Sequence, residues 1–333
     1  MKGKGEREKV RKNLFWISLI TLLILSVLSG LSVNTIRVSA VEYPAIMVVP
    51  ESTWNETLTP GMNYTISIYT DYNGSDVWSY QFTLSYNPNV LHGGINKTDT
   101  WTGDGVKTIF YTTQKPIVPD SERVYVNETL MTRDVDYIIK YDIGGIKFTT
   151  APGSGEEIKA IYLYDGVVNG DLITKVKHPD AMFDAGTFNN TLGRLKLTVA
   201  WFYYEAKPVP ITSGPGTLAN VTFTVVGYGT SNITIGDETK LIGWTEGGMG
   251  DMYDIIDAKY EPEHIQHGFF SNKILGDVDG DRTVDASDLF DLSKAYGSEL
   301  GDPNWTPDCD FNKDNKVDAS DLFDLSKNYG RSI

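Results

Sequence analysis

An eleven-residue run, Val284-Asp285-Ala286-Ser287-Asp288-Leu289-Phe290-Asp291-Leu292-Ser293-Lys294, returns unchanged 33 residues later as Val317 to Lys327, and Tyr296-Gly297 returns as Tyr329-Gly330. A repeat constrains the fold before any other feature does. Each copy must form the same local unit, and neighbouring copies must bury what neither buries alone.

Each copy opens on an acidic loop. Calcium collects several hard oxygen ligands, and a twelve-residue loop supplies them at positions 1, 3, 5, 7, 9 and 12. In the first loop these positions hold Asp277, Asp279, Asp281, the Thr283 carbonyl, Asp285 and Asp288. In the second they hold Asp310, Asn312, Asp314, the Lys316 carbonyl, Asp318 and Asp321. Val284 and Val317, at position 8, are expected to pair the two loops through a short strand contact.

Three departures separate these loops from an EF-hand. Position 6, usually Gly for a sharp turn, holds Arg282 and Asn315. Asn tolerates the left-handed conformation well and Arg less so. Position 12, usually Glu, holds Asp288 and Asp321, so the loop end must come closer to the ion. Residues 265–276 offer no amphipathic entering helix; only an exiting helix is expected, with Leu289, Leu292 and Tyr296 on one buried face and Leu322, Leu325 and Tyr329 repeating it. A solvated acidic tail would show neither a leucine period nor spaced turns.

Together these features over residues 276–330 resemble a dockerin. The resemblance implies two Ca²⁺ ions as cofactors and a cohesin domain as partner, on another chain or on a second copy of this one. It also implies recognition through loop positions 10 and 11 and a pair further along the helix. These are Ala286, Ser287, Ser293 and Lys294 in the first repeat and Ala319, Ser320, Ser326 and Lys327 in the second. The two sets are identical, which implies binding in two orientations related by a half-turn. Passive duplication of surface residues is the competing account.

Upstream, residues 43–271 read as β-structure. Trp78, Tyr80, Phe82, Leu84 and Tyr86 alternate with Ser79, Gln81, Thr83 and Ser85. Leu195 and Leu197 alternate with Arg194 and Lys196, and Val221, Phe223 and Val225 alternate with Thr222 and Thr224. One apolar and one wet face per strand is what a two-sheet sandwich requires. Gly214-Pro215-Gly216 reads as a turn. Residues 97–165 carry their own hairpin pattern, with Arg123–Val126, Asp136–Tyr141, Ile146–Thr149 and Ile158–Tyr164 as short strands. They read as an inserted β-unit rather than an extension of the main sheets.

The flanking pieces resemble a cohesin domain, the β-sandwich receptor of dockerins. The resemblance rests on Trp78–Leu91, on Gly170-Asp171-Leu172-Ile173 and on Gly214–Val226. Carbohydrate-binding modules share the broad fold, and a sandwich alone does not fix function. The expected fold is therefore mainly β: residues 41–271 form a cohesin-like jelly-roll β-sandwich with the inserted unit at 97–165, and residues 272–333 form a small α-helical, EF-hand-like dockerin. The resemblance makes a dockerin the ligand of the sandwich. A polysaccharide is the alternative ligand, stacked on aromatics such as Trp54, Trp101 and Trp244.

Residues 2–12 are basic, an apolar run extends from Leu14 to Val33, and Val38-Ser39-Ala40 supplies small residues for a signal peptidase. Residues 1–40 thus read as a secretory signal peptide, with an uncleaved anchor at residues 14–33 as the second reading. Nine N-x-S/T sequons, beginning at Asn55, Asn63, Asn73, Asn96, Asn127, Asn189, Asn220, Asn232 and Asn304, fit a glycosylated secreted or cell-surface protein. The net charge of −15 disfavours nucleic acid as a partner.

One cysteine, Cys309, excludes an intrachain disulfide and cysteine-based zinc or redox motifs. It reads as a small buried side chain. No nucleophile elbow, zinc histidine pattern or phosphate loop is present, and His264 and His267 lie in a non-helical run. A non-catalytic interaction protein is the expectation.

Overall fold

The computed structural model describes residues 45–74, 77–172, 181–201, 215–244 and 252–333. The expected signal segment, Ile173 and Gly214 lie outside the described residues, as does the Trp244 side chain. Among the described residues, no helix is long and apolar enough to cross a membrane.

Two sheets form the sandwich. One runs in the order Val167–Asn169, Gly216–Val225, Asn63–Thr70, Ile46–Val49, Ile265–Gln266, with Leu91–Gly93 also paired to Gly216–Val225. The other runs Ala181–Asn189, Arg194–Trp201, Val77–Ser85, Thr230–Ile235, Gly268–Ser271, Ser52–Trp54. A hairpin of Lys240–Trp244 and Met252–Asp257 joins it at Val77–Ser85.

Between the sheets lie the apolar residues of the period-two segments. Tyr80, Phe82 and Leu84 from one sheet and Ile66, Ile68, Val221 and Phe223 from the other belong to one cluster. Each fully buried Phe or Leu contributes roughly 1.5–3 kcal/mol. The wet-face reading of Ser79 and Thr224 is corrected: both are buried, and the Thr224 hydroxyl donates to the Gly94 carbonyl at 2.8 Å. Gly216 likewise opens a strand rather than sitting in a turn. His264 ends a single 3₁₀ turn, Pro262–His264.

Residues 95–164 build a four-stranded and a three-stranded sheet of their own. These enclose a separate apolar cluster of Phe110, Val124, Tyr137, Ile146, Phe148, Ile158 and Tyr162. Trp101 packs into that cluster, 5.8 Å from Phe110.

A third cluster lies beyond the last strand. It contains Ile274, Val284, Leu292, Ala295, Cys309, Phe311, Val317 and Leu325. Two helices pack on it, α1 (Ala286–Ala295) and α2 (Ala319–Asn328). Two short strands, Ile265–Gln266 and Gly268–Ser271, precede the first loop, and no helix enters it.

The helix faces differ from expectation. Leu292 and Leu325 are buried and Leu322 is partly so, but Leu289, Tyr296 and Tyr329 are exposed. The buried stripe of α1 is instead Asp288, Leu292 and Ala295, at i, i+4 and i+7. A carboxylate takes the first place on it because the loop that closes over the helix start supplies its hydrogen bonds.

Candidate functional site

The two acidic loops fold alike. Positions 4 and 6 are left-handed in both: Gly280 (φ 79°) and Arg282 (φ 74°) in the first, Lys313 (φ 59°) and Asn315 (φ 67°) in the second. The first of these four is glycine and Asn315 tolerates the left-handed region, whereas Arg282 and Lys313 hold a disfavoured backbone through contacts made elsewhere.

Side-chain oxygens organise each turn. Asp277 accepts from the Gly280 and Arg282 amides at 2.7 and 3.2 Å. Its counterpart Asp310 accepts from Asp314 and Asn315 at 3.2 and 3.0 Å. Asp281 accepts from the Thr283 amide at 2.8 Å, as Asp314 does from the Lys316 amide at 3.0 Å. Asp279 accepts from the Asp281 amide and Asn312 from the Asp314 amide.

The loop ends are tied to the helix starts by reciprocal caps. Asp285 accepts from the Ser287 amide while Asp288 accepts from the Asp285 amide, both at 2.8 Å. Asp318 and Asp321 repeat this in α2, with distances of 2.8 and 2.9 Å. Such a capping box satisfies amides that the first helical turn leaves unpaired. Asp288 also accepts from the Val278 amide at 2.6 Å, and Asp321 from the Phe311 amide at 2.7 Å. Both carboxylates are fully buried, so the shorter side chain at position 12 draws the loop tight over its own helix.

Carboxylate oxygens of Asp277, Asp279 and Asp281 lie within 4.8 Å of one another. In the second loop the central member of the triad is the amide Asn312, leaving two carboxylates, Asp310 and Asp314, beside an uncharged oxygen donor. Burial pushes the Asp277, Asp310 and Asp321 carboxyls above their ordinary range. In contrast, amide and hydroxyl donation from Ser287 holds that of Asp285 below it. An all-oxygen donor set of this kind fits a hard divalent cation.

The position-8 valines do not pair with each other. The Val284 amide donates to the Arg331 carbonyl at 2.9 Å, and the Gly330 amide donates to the Val284 carbonyl at 2.7 Å. Reciprocally, the Gly297 amide donates to the Val317 carbonyl at 2.8 Å, and the Val317 amide to the Ser298 carbonyl at 2.9 Å. Each loop is thus stitched to the segment that leaves the other repeat's helix. Gly297 (φ 83°) and Gly330 (φ 82°) make the turn that brings those segments back.

Ala286, Ser287, Ser293, Lys294, Ala319, Ser320, Ser326 and Lys327 are all exposed. The two helices place them in matching surroundings. Ser293 donates to the Phe290 carbonyl at 2.6 Å and Ser326 to that of Phe323 at 2.7 Å. Lys294 and Lys327 each lie 4.1 Å from the ring centroid of Phe290 and Phe323 and pair with Asp291 and Asp324. The exposed rings of Phe290 and Phe323 were missed by sequence reasoning, although their repetition at position 14 of each copy was visible. Cys309 is fully buried beside the second loop, and burial pushes its thiol up to about 12.

Comparison with known proteins bears on this segment. Residues 275–328 match the family model of the dockerin type I domain. No curated protein matches the chain. Among solved structures, the third cohesin ScaC in complex with the ScaB dockerin of Acetivibrio cellulolyticus is similar over 68% of this chain and 96% of that chain, at 12% identity and a TM-score of 0.32. The second type II cohesin module of the ScaA scaffoldin from the same organism covers 60% of this chain and 79% of its own, at 13% and 0.31. The seventh ScaB type I cohesin of Pseudobacteroides cellulosolvens covers 68% and 89%, at 11% and 0.30. With the family match and the paired loop-helix geometry together, residues 275–328 form a dockerin type I domain, joined in this chain to a β-sandwich.

Proposed function

We propose that the chain is a non-catalytic, calcium-dependent interaction protein. Its dockerin takes up two Ca²⁺ ions and binds a cohesin domain, and its sandwich (residues 41–271, with 97–165 inserted) is a cohesin-like receptor for dockerins. The observation that carries the reading is the duplicated loop. Asp277, Asp279, Asp281, Thr283, Asp285 and Asp288, and the matching Asp310, Asn312, Asp314, Lys316, Asp318 and Asp321, sit in two near-identical folded turns with buried position-12 carboxylates. Calcium would supply the positive charge that holds these acids together and so would fold the module.

The basic flank and apolar run of residues 1–40 support export, to the medium or the cell surface, where calcium is plentiful. Residues 41–333 carry 22 basic and 42 acidic residues, which suits a calcium-rich medium. A sugar-binding sandwich is the weaker reading, since Trp101 serves the core of the inserted unit and Trp54 faces the second loop.

Calcium titration of the full chain by calorimetry, followed by sedimentation in calcium and in EDTA, tests the proposal. Two ions per chain with calcium-dependent self-association would support a self-complementary assembly protein. Two ions with a monomer in both buffers would limit it to a dockerin for a foreign cohesin. Absence of calcium uptake would overturn it.

A further inference from the structure

The two modules are joined without slack. Ser271 ends the last strand, and Ile274 already lies in the dockerin core. Asn272 between them is fully buried. Its side-chain carbonyl accepts from the Gly229 amide at 2.8 Å, and its amide donates to the Leu58 and Gly227 carbonyls at 2.8 and 3.1 Å.

Beyond the junction, among the described residues, three cations of the dockerin reach the sandwich. The Arg282 guanidinium lies 4.3 Å from the centroid of the Tyr228 ring. The Lys313 ammonium lies 4.8 Å from the ring of Phe269 and 5.7 Å from that of Trp54. Arg331 pairs with Glu56. Two of the three come from the calcium loops themselves, at positions 6 and 4, whose side chains are not ligands. Both residues hold the left-handed backbone described above.

We infer that the sandwich and the dockerin form a calcium-locked pair: the calcium-folded conformation of the two loops presents Arg282 and Lys313 to Tyr228 and to Trp54 and Phe269, and loss of the ions releases the dockerin from the sandwich. This rests on the calcium reading above. The orienting force is cation–π attraction, which operates within about 6 Å of a ring centroid and strengthens when water is excluded. Because ion binding and docking favour the same loop conformation, each strengthens the other by the same factor. The lock uses the loop side of the dockerin. Ser287, Ser293, Lys294, Ser320, Ser326 and Lys327 stay exposed, so a locked chain still offers its recognition residues, held in one orientation relative to the sandwich.

The test uses the full chain. Hydrogen exchange is followed in calcium and in EDTA, and calcium affinity is measured on sandwich variants that leave every loop residue in place. EDTA is expected to raise exchange in residues 52–58 and 226–232 but not in the inserted strand Glu157–Tyr164. Tyr228→Leu combined with Trp54→Leu is expected to weaken calcium binding roughly three- to tenfold. Tyr228→Phe with Trp54→Phe, which keep the ring faces, should bind calcium as the parent does and so separate the ring effect from a packing defect. Two ions bound with equal affinity in the Leu and Phe pairs, or unchanged exchange on chelation, would overturn the lock. A parent chain that takes up no calcium would instead overturn the calcium reading on which the lock rests.

Discussion

Val284 in the first acidic loop is paired through its backbone with Gly330, which lies beyond the helix of the second repeat; the Gly330 amide donates to the Val284 carbonyl at 2.7 Å. The first loop is therefore completed by residues some 46 positions away in sequence, and the second loop by Gly297 and Ser298. Neither repeat is finished by its own residues.

That exchange makes the C-terminal residues part of the first loop. Ending the chain at Tyr329 removes the hydrogen bonds of Val284 with Gly330 and Arg331, and that from the Ile333 amide to the Arg282 carbonyl. At about 0.5–1.5 kcal/mol each, the loss should weaken calcium binding at the first loop by one to three orders of magnitude. The second loop, stitched to Gly297 and Ser298, should change much less. A two-site calorimetric titration of the shortened chain distinguishes the two.

Asp288 is both a candidate ligand and the acceptor for three backbone amides, of Val278, Asp279 and Asp285. Asp288→Ala should abolish binding at the first loop and destabilise the module by about 2–5 kcal/mol, since buried amides lose their partner. Thermal unfolding in calcium, compared with the equivalent Asp321→Ala, should show similar losses because the two environments match. A much smaller loss at either position would show that its carboxylate is dispensable for loop closure.

Cys309 offers a built-in reporter. With its thiol buried and pushed up to about 12, thiolate is scarce at neutral pH. Alkylation at pH 8 should be slow in calcium and faster by orders of magnitude in EDTA, where the module opens. Equal rates in both buffers would show that chelation leaves the module closed.

Acid should act oppositely with and without calcium. Asp277, Asp310 and Asp321 have carboxyls raised in the fold by burial, so the folded state holds more protons than the unfolded one above pH 3.8. Without calcium, these groups stabilise the module below that value, and the contribution is lost as pH rises through their raised range. With calcium, protons compete for the same oxygens, so affinity should fall as pH is lowered through that range. Thermal unfolding in EDTA and calcium titration, each between pH 4 and 7, report the two trends.

The repeated surface sets lead to a last expectation. Ser287 and Ser320, with Lys294 and Lys327, occupy equivalent exposed positions on α1 and α2. Single changes, Ser287→Ala or Ser320→Ala, should reduce cohesin affinity no more than about twofold, whereas the double change should remove most of it. If Ser287→Ala alone abolished binding while Ser320→Ala did nothing, two-way binding would be wrong.

Much of this was written in local spacing. Period-two alternation at Trp78–Tyr86 produced a strand with its apolar side inward, because a strand's faces are set by covalent geometry alone. The duplicated acidic run produced two matching loops, each ending in a capped helix, because Asp285 with Asp288 and Asp318 with Asp321 make their capping bonds within one turn. What a residue does at long range was not legible. Val284 pairs with Gly330 rather than Val317, Leu289 and Tyr296 face solvent, and Arg282 and Lys313 turn towards the sandwich. Each of these depends on which surface arrives opposite, and only tertiary packing decides that: the register of the two repeats and the short step from Asn272 to the dockerin core at Ile274 are set by contacts between segments far apart in the chain.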